Sequence, residues 1–395
     1  MSAPKLRFKE FGGDWNNKRL DSFLQRKSNP VSVIQNELYT QIGIRSHGKG
    51  IFYKEPIEGY QLGTKKVFWI EPNSLIVNIV FAWERAVAVT SKAEEGMVAS
   101  HRFPMYLPKN NLSSVLFLKY LFITDKGKNY LELASPGGAG RNKTLGQANF
   151  NELKIDLPKL KEQTKIATFF TAIDEKISQL SQKQALLSQY KKSMMQKLFS
   201  QQIRFKADDG SEFEEWEEKK LGTFAMTFSG GTPTSSNKDY YNGDIPFIKS
   251  GEISLSFTNQ FINEKGLNNS SAKMVNQGDL LYALYGATSG QVAISQIHGA
   301  INQAVLCIRS EQNNTFLYNF FISAKDDIIS TYLQGGQGNL SAQIIKNIDI
   351  PIPTLPEQTK IANFLSAIDQ KIDLTTQQLE QAKQWKKGLL QQMFV

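Results

Sequence analysis

One run comes close to a phosphate-binding loop. Gly43-Ile44-Arg45-Ser46-His47-Gly48-Lys49-Gly50 lacks only the Ser or Thr that would follow the lysine and hold Mg2+, since position 50 is Gly. No clean buried strand precedes it. Arg45, His47 and Lys49 suit a basic loop beside a phosphate backbone better, with a plain surface turn as the alternative. Glu217-Glu218-Lys219, after Asp208 and Asp209, has the letters of a nuclease Glu-x-Lys pattern, but the matching stretch of the first half, Asn16-Asn17-Lys18, has no carboxylate. There is no Asn-Pro-Pro-aromatic tetrapeptide of the adenine methyltransferases, and no Ser/His/Asp or Cys/His arrangement. The three histidines (His47, His101, His298) are far apart and Cys307 is the one cysteine, so a Cys/His zinc site is not expected. The chain is expected to hold no catalytic residue, no metal and no cofactor of its own.

What remains is chemistry for binding. Ser229-Gly230-Gly231-Thr232-Pro233 opens a stretch that continues with Asn242-Gly243-Asp244-Ile245-Pro246 and Lys249-Ser250-Gly251-Glu252. Tyr285-Gly286-Ala287-Thr288 and Asn302-Gln303 come later. Small residues let a backbone approach a ligand, amides and hydroxyls pair with base edges, and lysine meets phosphate. Taken singly, each residue reads better as part of a tight turn. The DNA-contact candidates in this half are Ser229, Thr232, Lys249, Ser250, Tyr285, Thr288, Asn302, Gln303 and Asn339. In the first half they are Arg45, Lys49, Arg141 and Lys143, the last two beside the turn Gly137-Gly138-Ala139-Gly140-Arg141.

These loops hang on a frame that the chain states twice. Pro158-Lys159-Leu160-Lys161-Glu162-Gln163-Thr164-Lys165-Ile166-Ala167 returns as Pro353-Thr354-Leu355-Pro356-Glu357-Gln358-Thr359-Lys360-Ile361-Ala362, and 14 of the 20 positions from 158 to 177 match their partners. Ile166, Ile173, Leu180, Leu187 and Met194 recur every seven residues, widened by Phe169, Ile177, Tyr190 and Leu198. That is the seam of a coiled-coil helix. The second copy keeps Ile361, Ile368 and Leu389, with Thr375 and Ala382 between them. About 38 residues would make a rod of about 57 Å. Such a seam needs a partner, and the other copy is the obvious one.

The entry motifs Leu6-Arg7-Phe8-Lys9 and Trp15-Asn16-Asn17-Lys18-Arg19-Leu20 also return, as Ile203-Arg204-Phe205-Lys206 and Trp216-Glu217-Glu218-Lys219-Lys220-Leu221. Residues 21–150 and 224–350 between these landmarks differ strongly, yet both read as mixed α/β globules. Strands are expected at Val67–Ile70, Leu75–Val80, Val292–Ile294 and Ala304–Ile308, and helices at Leu112–Phe122 and Phe316–Leu333. Short strands at Leu153–Leu157 and Ile348–Ile352 lead into the long helices. The expected architecture is a mixed α+β (α/β) tandem: a first globule over 1–157, a helix over 158–202, a second globule over 203–350 and a second helix over 351–395.

With 395 residues and 41% hydrophobic content there is material for two or three cores. No apolar run has transmembrane length, no signal pattern opens the chain, and a lone cysteine excludes an internal disulfide. A reducing cytoplasm is expected. The net charge of +9 is uneven. Residues 1–157 hold 22 basic and 14 acidic groups, whereas 203–350 hold 11 and 16. A basic first half suits a polyanion such as nucleic acid. Seven of the second half's acids sit in Asp208–Glu218, as a partner-facing run or a solvated linker.

The tandem of Pro-x-x-x-Glu-Gln-x-Lys-Ile-Ala helices with the Ser-Gly-Gly-Thr-Pro and Asn-Gly-Asp-Ile-Pro loops resembles the specificity subunit of a type I restriction–modification system, over essentially the full length. The resemblance implies two target-recognition domains, each reading half of a split DNA sequence, separated by two long antiparallel coiled-coil helices. It also implies that the helices dock methyltransferase subunits, two of them, through Ile166, Phe169, Ile173, Ile361, Phe364 and Ile368, and that restriction/translocase subunits join that core. S-adenosylmethionine, ATP and Mg2+ would then belong to the partners. The first globule departs from the pattern: it lacks the Ser-Gly-Gly-Thr-Pro loop and has Lys27-Ser28-Asn29-Pro30 nearby. Two other readings of the residues stay open: a coiled-coil interaction scaffold with weak or no DNA binding, and an NTPase built on Gly43–Gly50.

Overall fold

The structure, a computed structural model, describes residues 4–64, 66–137, 143–332 and 339–394. Its two longest elements follow the duplicated prolines. One helix runs Leu160–Phe199 and the other Leu355–Met393, so each is about 60 Å long. Pro356 lies in the first turn of the second, where the N–H it lacks would have no intrahelical acceptor. The chain divides into two compact units, Met1–Ser181 with Gln377–Val395, and Gln182–Thr376. Each unit therefore holds the beginning of one long helix and the end of the other.

In the first unit the strands are β1 (Asn16–Arg19), β2 (Leu24–Lys27), β3 (Leu38–Tyr39), β4 (Ile42–Ile44), β5 (Ile51–Tyr53) and β6 (Ile57–Glu58). They continue with β7 (Val67–Trp69), β8 (Leu75–Val77), β9 (Val87–Val89), β10 (Val98–Ser100), β11 (Met105–Pro108) and β12 (Lys154–Leu157). Helices α1 (Val115–Phe122), α2 (Asp125–Leu133) and α3 (Gln147–Glu152) precede the long helix α4 (Leu160–Phe199). An antiparallel sheet has the order β2-β11-β8-β9. The shorter pairs β3–β6 and β10–β7 stand beside it, with one parallel bridge, Gln41 to Val98. Strand β1 pairs with β12 and so ties the entry motif to the start of α4. The core gathers Trp15, Phe117, Phe150 and Phe170 with Met393 and Phe394 from the far end of the chain.

The second unit repeats this topology except for the β4–β5 hairpin, which has no counterpart among its described residues. Its elements are β13 (Glu217–Lys220), α5 (Leu221–Phe224), β14 (Ala225–Ser229), β15 (Ile245–Ile248), β16 (Phe261–Ile262) and α6 (Glu264–Asn268). Then come β17 (Lys273–Val275), β18 (Leu280–Ala283), β19 (Val292–Ile294), β20 (Gly299–Ile301) and β21 (Val305–Ser310). Helices α7 (Asn314–Ser323), α8 (Lys325–Tyr332) and α9 (Ala342–Lys346), strand β22 (Asp349–Ile352) and the long helix α10 (Leu355–Met393) follow in chain order. The antiparallel sheet has the order β14-β21-β18-β19, which is β2-β11-β8-β9 counted along the second unit. The other sheet, β16-β15-β20-β17, contains one parallel pair, Phe247 with Ala300 and Ile248 with Ile301. That pair stands where the first unit has the bridge from Gln41 to Val98. Globules with little common sequence thus share one strand order.

Several boundaries differ from the sequence expectation, each for a local reason. The Leu75–Val80 run is strand only to Val77, because the Asn78 side chain accepts the Val80 N–H and turns the chain. The helix expected from Leu112 starts at Val115, where the Ser114 hydroxyl accepts the Phe117 N–H as its cap. The helix expected over Phe316–Leu333 is two, α7 and α8, broken at Ala324; Leu333 lies outside the described residues.

On α4 the seam also drifts. Ile166, Ile173 and Leu180 are buried, Leu187 and Met194 only half-buried, while Met195 and Leu198 are buried. A strict heptad slips about 20° per repeat on a straight helix, and after four repeats the next residue faces inward. Tyr190, expected in the stripe, is 48% exposed for the same reason. In the second unit Gln184 donates to Thr376 and Lys191 pairs with Asp369 at 2.6 Å. Seven residues forward on α4 are thus seven back on α10, and the two run antiparallel. Thr375, one of the small middle residues, is buried there.

Candidate nucleic-acid interface and its supporting clamp

Glu162 and Gln163 fix the frame of the first unit. Glu162, 2% exposed, accepts from Arg7 Nε and Nη2 at 2.7 Å each and from the Trp15 indole at 3.3 Å. The Gln163 side chain accepts the Ser114 N–H at 2.8 Å and donates to the carbonyls of Leu112 and Pro158. One dipeptide thereby holds the entry motif and the start of α1. The second unit builds the same clamp: Glu357 takes Arg204 at 3.2 and 3.0 Å and Trp216 at 3.0 Å. Gln358 accepts the Asn313 N–H and donates to Pro353. Carboxylate hydrogen bonds raise both arginines above their ordinary pKa. Both motifs recur together in the sequence, and that joint recurrence is the signal that links them.

In the second unit six candidates come together around the ends of the parallel strands. Lys249 and Ser250 follow β15, and Asn302 and Gln303 follow β20; the Asn302 N–H donates to the Ile248 carbonyl. Ser229 ends β14. The loop after it packs so closely that a Cβ on Gly230 would collide with the Ile301 carbonyl, and one on Gly231 would meet Ser271 at 2.5 Å. Glycine is required at both by this approach. Thr232 then donates to the Gln303 side-chain oxygen. Burial pushes the Glu252 carboxyl up, but hydrogen bonds from Asn259 and Thr258 outweigh it and hold it below the usual range, which fixes the Lys249 loop. Tyr285 and Thr288, between β18 and β19, flank the cluster, as Leu284 donates to Ala304. Asn339 adjoins Leu340, which donates to Leu284.

The first unit differs. Gly43 and Ile44 belong to β4, a buried strand where none was expected, and Arg45–Gly50 is the hairpin turn into β5, with His47, Gly48 and Gly50 at positive φ. A phosphate loop needs a strand followed by a helix, so the NTPase reading is overturned. Arg45 and Lys49 are exposed, and the Arg45 guanidinium lies 5.0 Å from the Phe52 ring centre. Lys143 lies 5.9 Å from the Trp83 ring, and His47 and Gly48 donate to the Glu84 and Arg85 carbonyls, so the hairpin and Lys143 meet on one segment. Arg141 lies outside the described residues, as does most of each glycine-rich turn, Gly138–Arg141 and Gly335–Gly338.

The six residues expected to dock a partner face inward. Ile166, Ile173, Ile361 and Ile368 are buried, Phe169 packs against Phe8 and Trp385, and Phe364 against Phe205. The acidic run is partly neutralised within its own unit: Asp208 pairs with Lys360, Glu212 with Lys206 and Glu215 with Arg204. Among the described residues no group of three or more His, Cys, Asp or Glu could hold a metal ion, and no helix is long and apolar enough to cross a membrane.

The chain holds two units with one strand order, the second carrying a polar loop cluster suited to binding, and comparison gives the family. The model of the type I restriction modification DNA specificity domain matches twice, over residues 14–189 and 213–384. The chain belongs to that family: it is a DNA-recognition subunit of a type I restriction–modification system, not one of its catalytic subunits, and such subunits work with methyltransferase and restriction subunits on DNA. The type I restriction enzyme MjaVIII specificity subunit of Methanocaldococcus jannaschii is 24% identical over 416 residues, covering 97% of this chain and 94% of that one. The S subunit of M. genitalium has the same fold, with a TM-score of 0.63 at 15% identity over 100% and 99% of the two chains. The HsdS subunit of Thermoanaerobacter tengcongensis follows with a TM-score of 0.53 at 17% identity, over 97% of each.

Proposed function

We propose that this subunit reads a bipartite, asymmetric duplex target, one half with each globule, the recognition regions being 1–157 and 203–350 and the spacer helices 158–202 and 351–395. The observation that carries this is the shared strand order of two globules whose loops differ in chemistry. One scaffold presents two contents. In the second globule Ser229, Thr232, Ser250, Asn302 and Gln303 would meet base edges with Lys249 on a phosphate, flanked by Tyr285, Thr288 and Asn339. In the first, Arg45, Lys49, Arg141 and Lys143 would meet phosphates. The outer faces of the helix pair would seat methyltransferase subunits, two of them, and restriction/translocase subunits would join in the cytoplasm. S-adenosylmethionine, ATP and Mg2+ would be bound by those partners, which also flip the base they modify.

Exchange of residues 21–150 for the equivalent segment of a relative tests this, read by methylome sequencing. One half of the modified motif should change and the other stay. A change in both halves, or in neither, defeats the assignment.

A further inference from the structure

The first unit has a concave surface that none of its candidate residues lines. Its volume is about 780 Å3, and Lys54, Lys66, His101 and Arg102 stand around it with Phe81 and Phe103. The four basic side chains are exposed, and among the described residues none has an ion-pair partner. No carboxylate lines the surface. Such a cluster repels itself in the free protein and is relieved by a polyanion.

Its place in the fold is the second observation. His101-Arg102-Phe103-Pro104 joins β10 to β11. The corresponding turn of the second unit, β20 to β21, is Asn302-Gln303-Ala304, at the centre of the polar cluster. The parallel contact that sets Lys249 beside Asn302 there is matched by the bridge from Gln41 to Val98 here, and Gln41 also lines the concavity. The two turns are thus topological equivalents, amide-bearing in one unit and cationic in the other.

We propose that this concavity is the DNA-reading surface of the first unit, with Arg102 as a specificity-determining residue and Lys54 and Lys66 on backbone phosphates; this rests on the one-half-per-globule reading above. A guanidinium donates in a fork to guanine O6 and N7, whereas Asn and Gln fork onto adenine. The first half-site therefore contains a guanine read by Arg102, and the Phe81 and Phe103 rings offer apolar faces to a thymine methyl or the sugar edge. The two units differ in the base they favour because this turn differs.

The test uses the full chain with its methyltransferase subunits. Arg102→Gln should relax or change one guanine in one half of the methylated motif and leave the other half intact. Lys54→Gln and Lys66→Gln should each weaken binding to a random-sequence duplex of about 30 base pairs and flatten its salt slope by about one unit, with the motif letters unchanged. An intact motif for Arg102→Gln, or unchanged slopes for both lysine variants, overturns the proposal while leaving the wider reading in place. A wild-type complex that neither binds duplex nor directs methylation defeats the wider reading, and this proposal with it.

Discussion

Glu162→Gln isolates the charge of the clamp, because it keeps the shape of the side chain. The carboxylate is 2% exposed and receives three donors, two from Arg7 and one from Trp15. An amide offers one acceptor and sets an NH2 against groups that can only donate. Removing one partner of a buried pair costs about 3–5 kcal/mol. The Arg7 side chain is 15% exposed and keeps the carbonyls of Gly12 and Gly13, so the lower end applies, about 3 kcal/mol. For a unit of about 200 residues that lowers Tm by about 6–12 °C. It also raises the open population roughly a hundredfold. Hydrogen exchange on the full chain can localise the effect: amides of 4–181 and 377–394 should exchange faster, and those of 182–376 should not. Glu357→Gln should give the mirror result. Replacing both partners with Arg7→Leu and Glu162→Leu should cost far less than the sum of the singles, since a buried pair traded for apolar side chains is close to neutral. Additive single costs, or faster exchange in the wrong unit, would refute the clamp.

Asp174 carries a pH prediction. Burial pushes its carboxyl up, but a hydrogen bond from Lys386 and the charges of Lys119 and Lys386 outweigh this and hold it below the usual range. A depressed folded pKa gives stability that is present above the unfolded value and lost as pH falls through the folded one. Acid unfolding of the first unit, followed by fluorescence below about pH 5, should therefore be shallower in Asp174→Asn. Gly230→Ala drives a methyl into the Ile301 carbonyl, so the Ser229–Pro233 loop must shift; methylome sequencing should show one half-site degraded and the other kept. Gln163→Ala strands the Ser114 N–H and frees the start of α1, at a cost of about 1–3 kcal/mol. Exchange in peptides over 112–122 should rise first.

Much of the frame was legible because it is local and repeated. A heptad seam, two prolines and an entry motif each act within a few residues, and the duplication showed which letters mattered. The second-unit loops were legible as loops for the same reason. The common strand order was not, since strands of two to six residues carry little periodicity and β14 pairs with a strand some 80 residues later. Neither was the clamp, whose arginine and carboxylate stand 155 positions apart. The cationic concavity draws Lys54, Lys66 and the neighbours His101 and Arg102 from three separate loops, so no short window of sequence contains it.

The first unit's core is completed by residues encoded after the whole of the second unit. Met393 and Phe394 are 3% and 4% exposed, and Phe394 packs against Trp15, Phe117 and Phe170 in the first unit's core. Leu6 donates to the Gln392 carbonyl as Ile203 donates to Lys197, so a joint that is continuous chain in one unit is only a hydrogen-bonded contact in the other. The second unit is contiguous, Gln182–Thr376. During translation the first waits for a helix end encoded after all of the second, with part of its core uncovered meanwhile. Damage is remapped accordingly: a nonsense codon or protease cut near Leu389 injures the head encoded first and leaves the head encoded second whole.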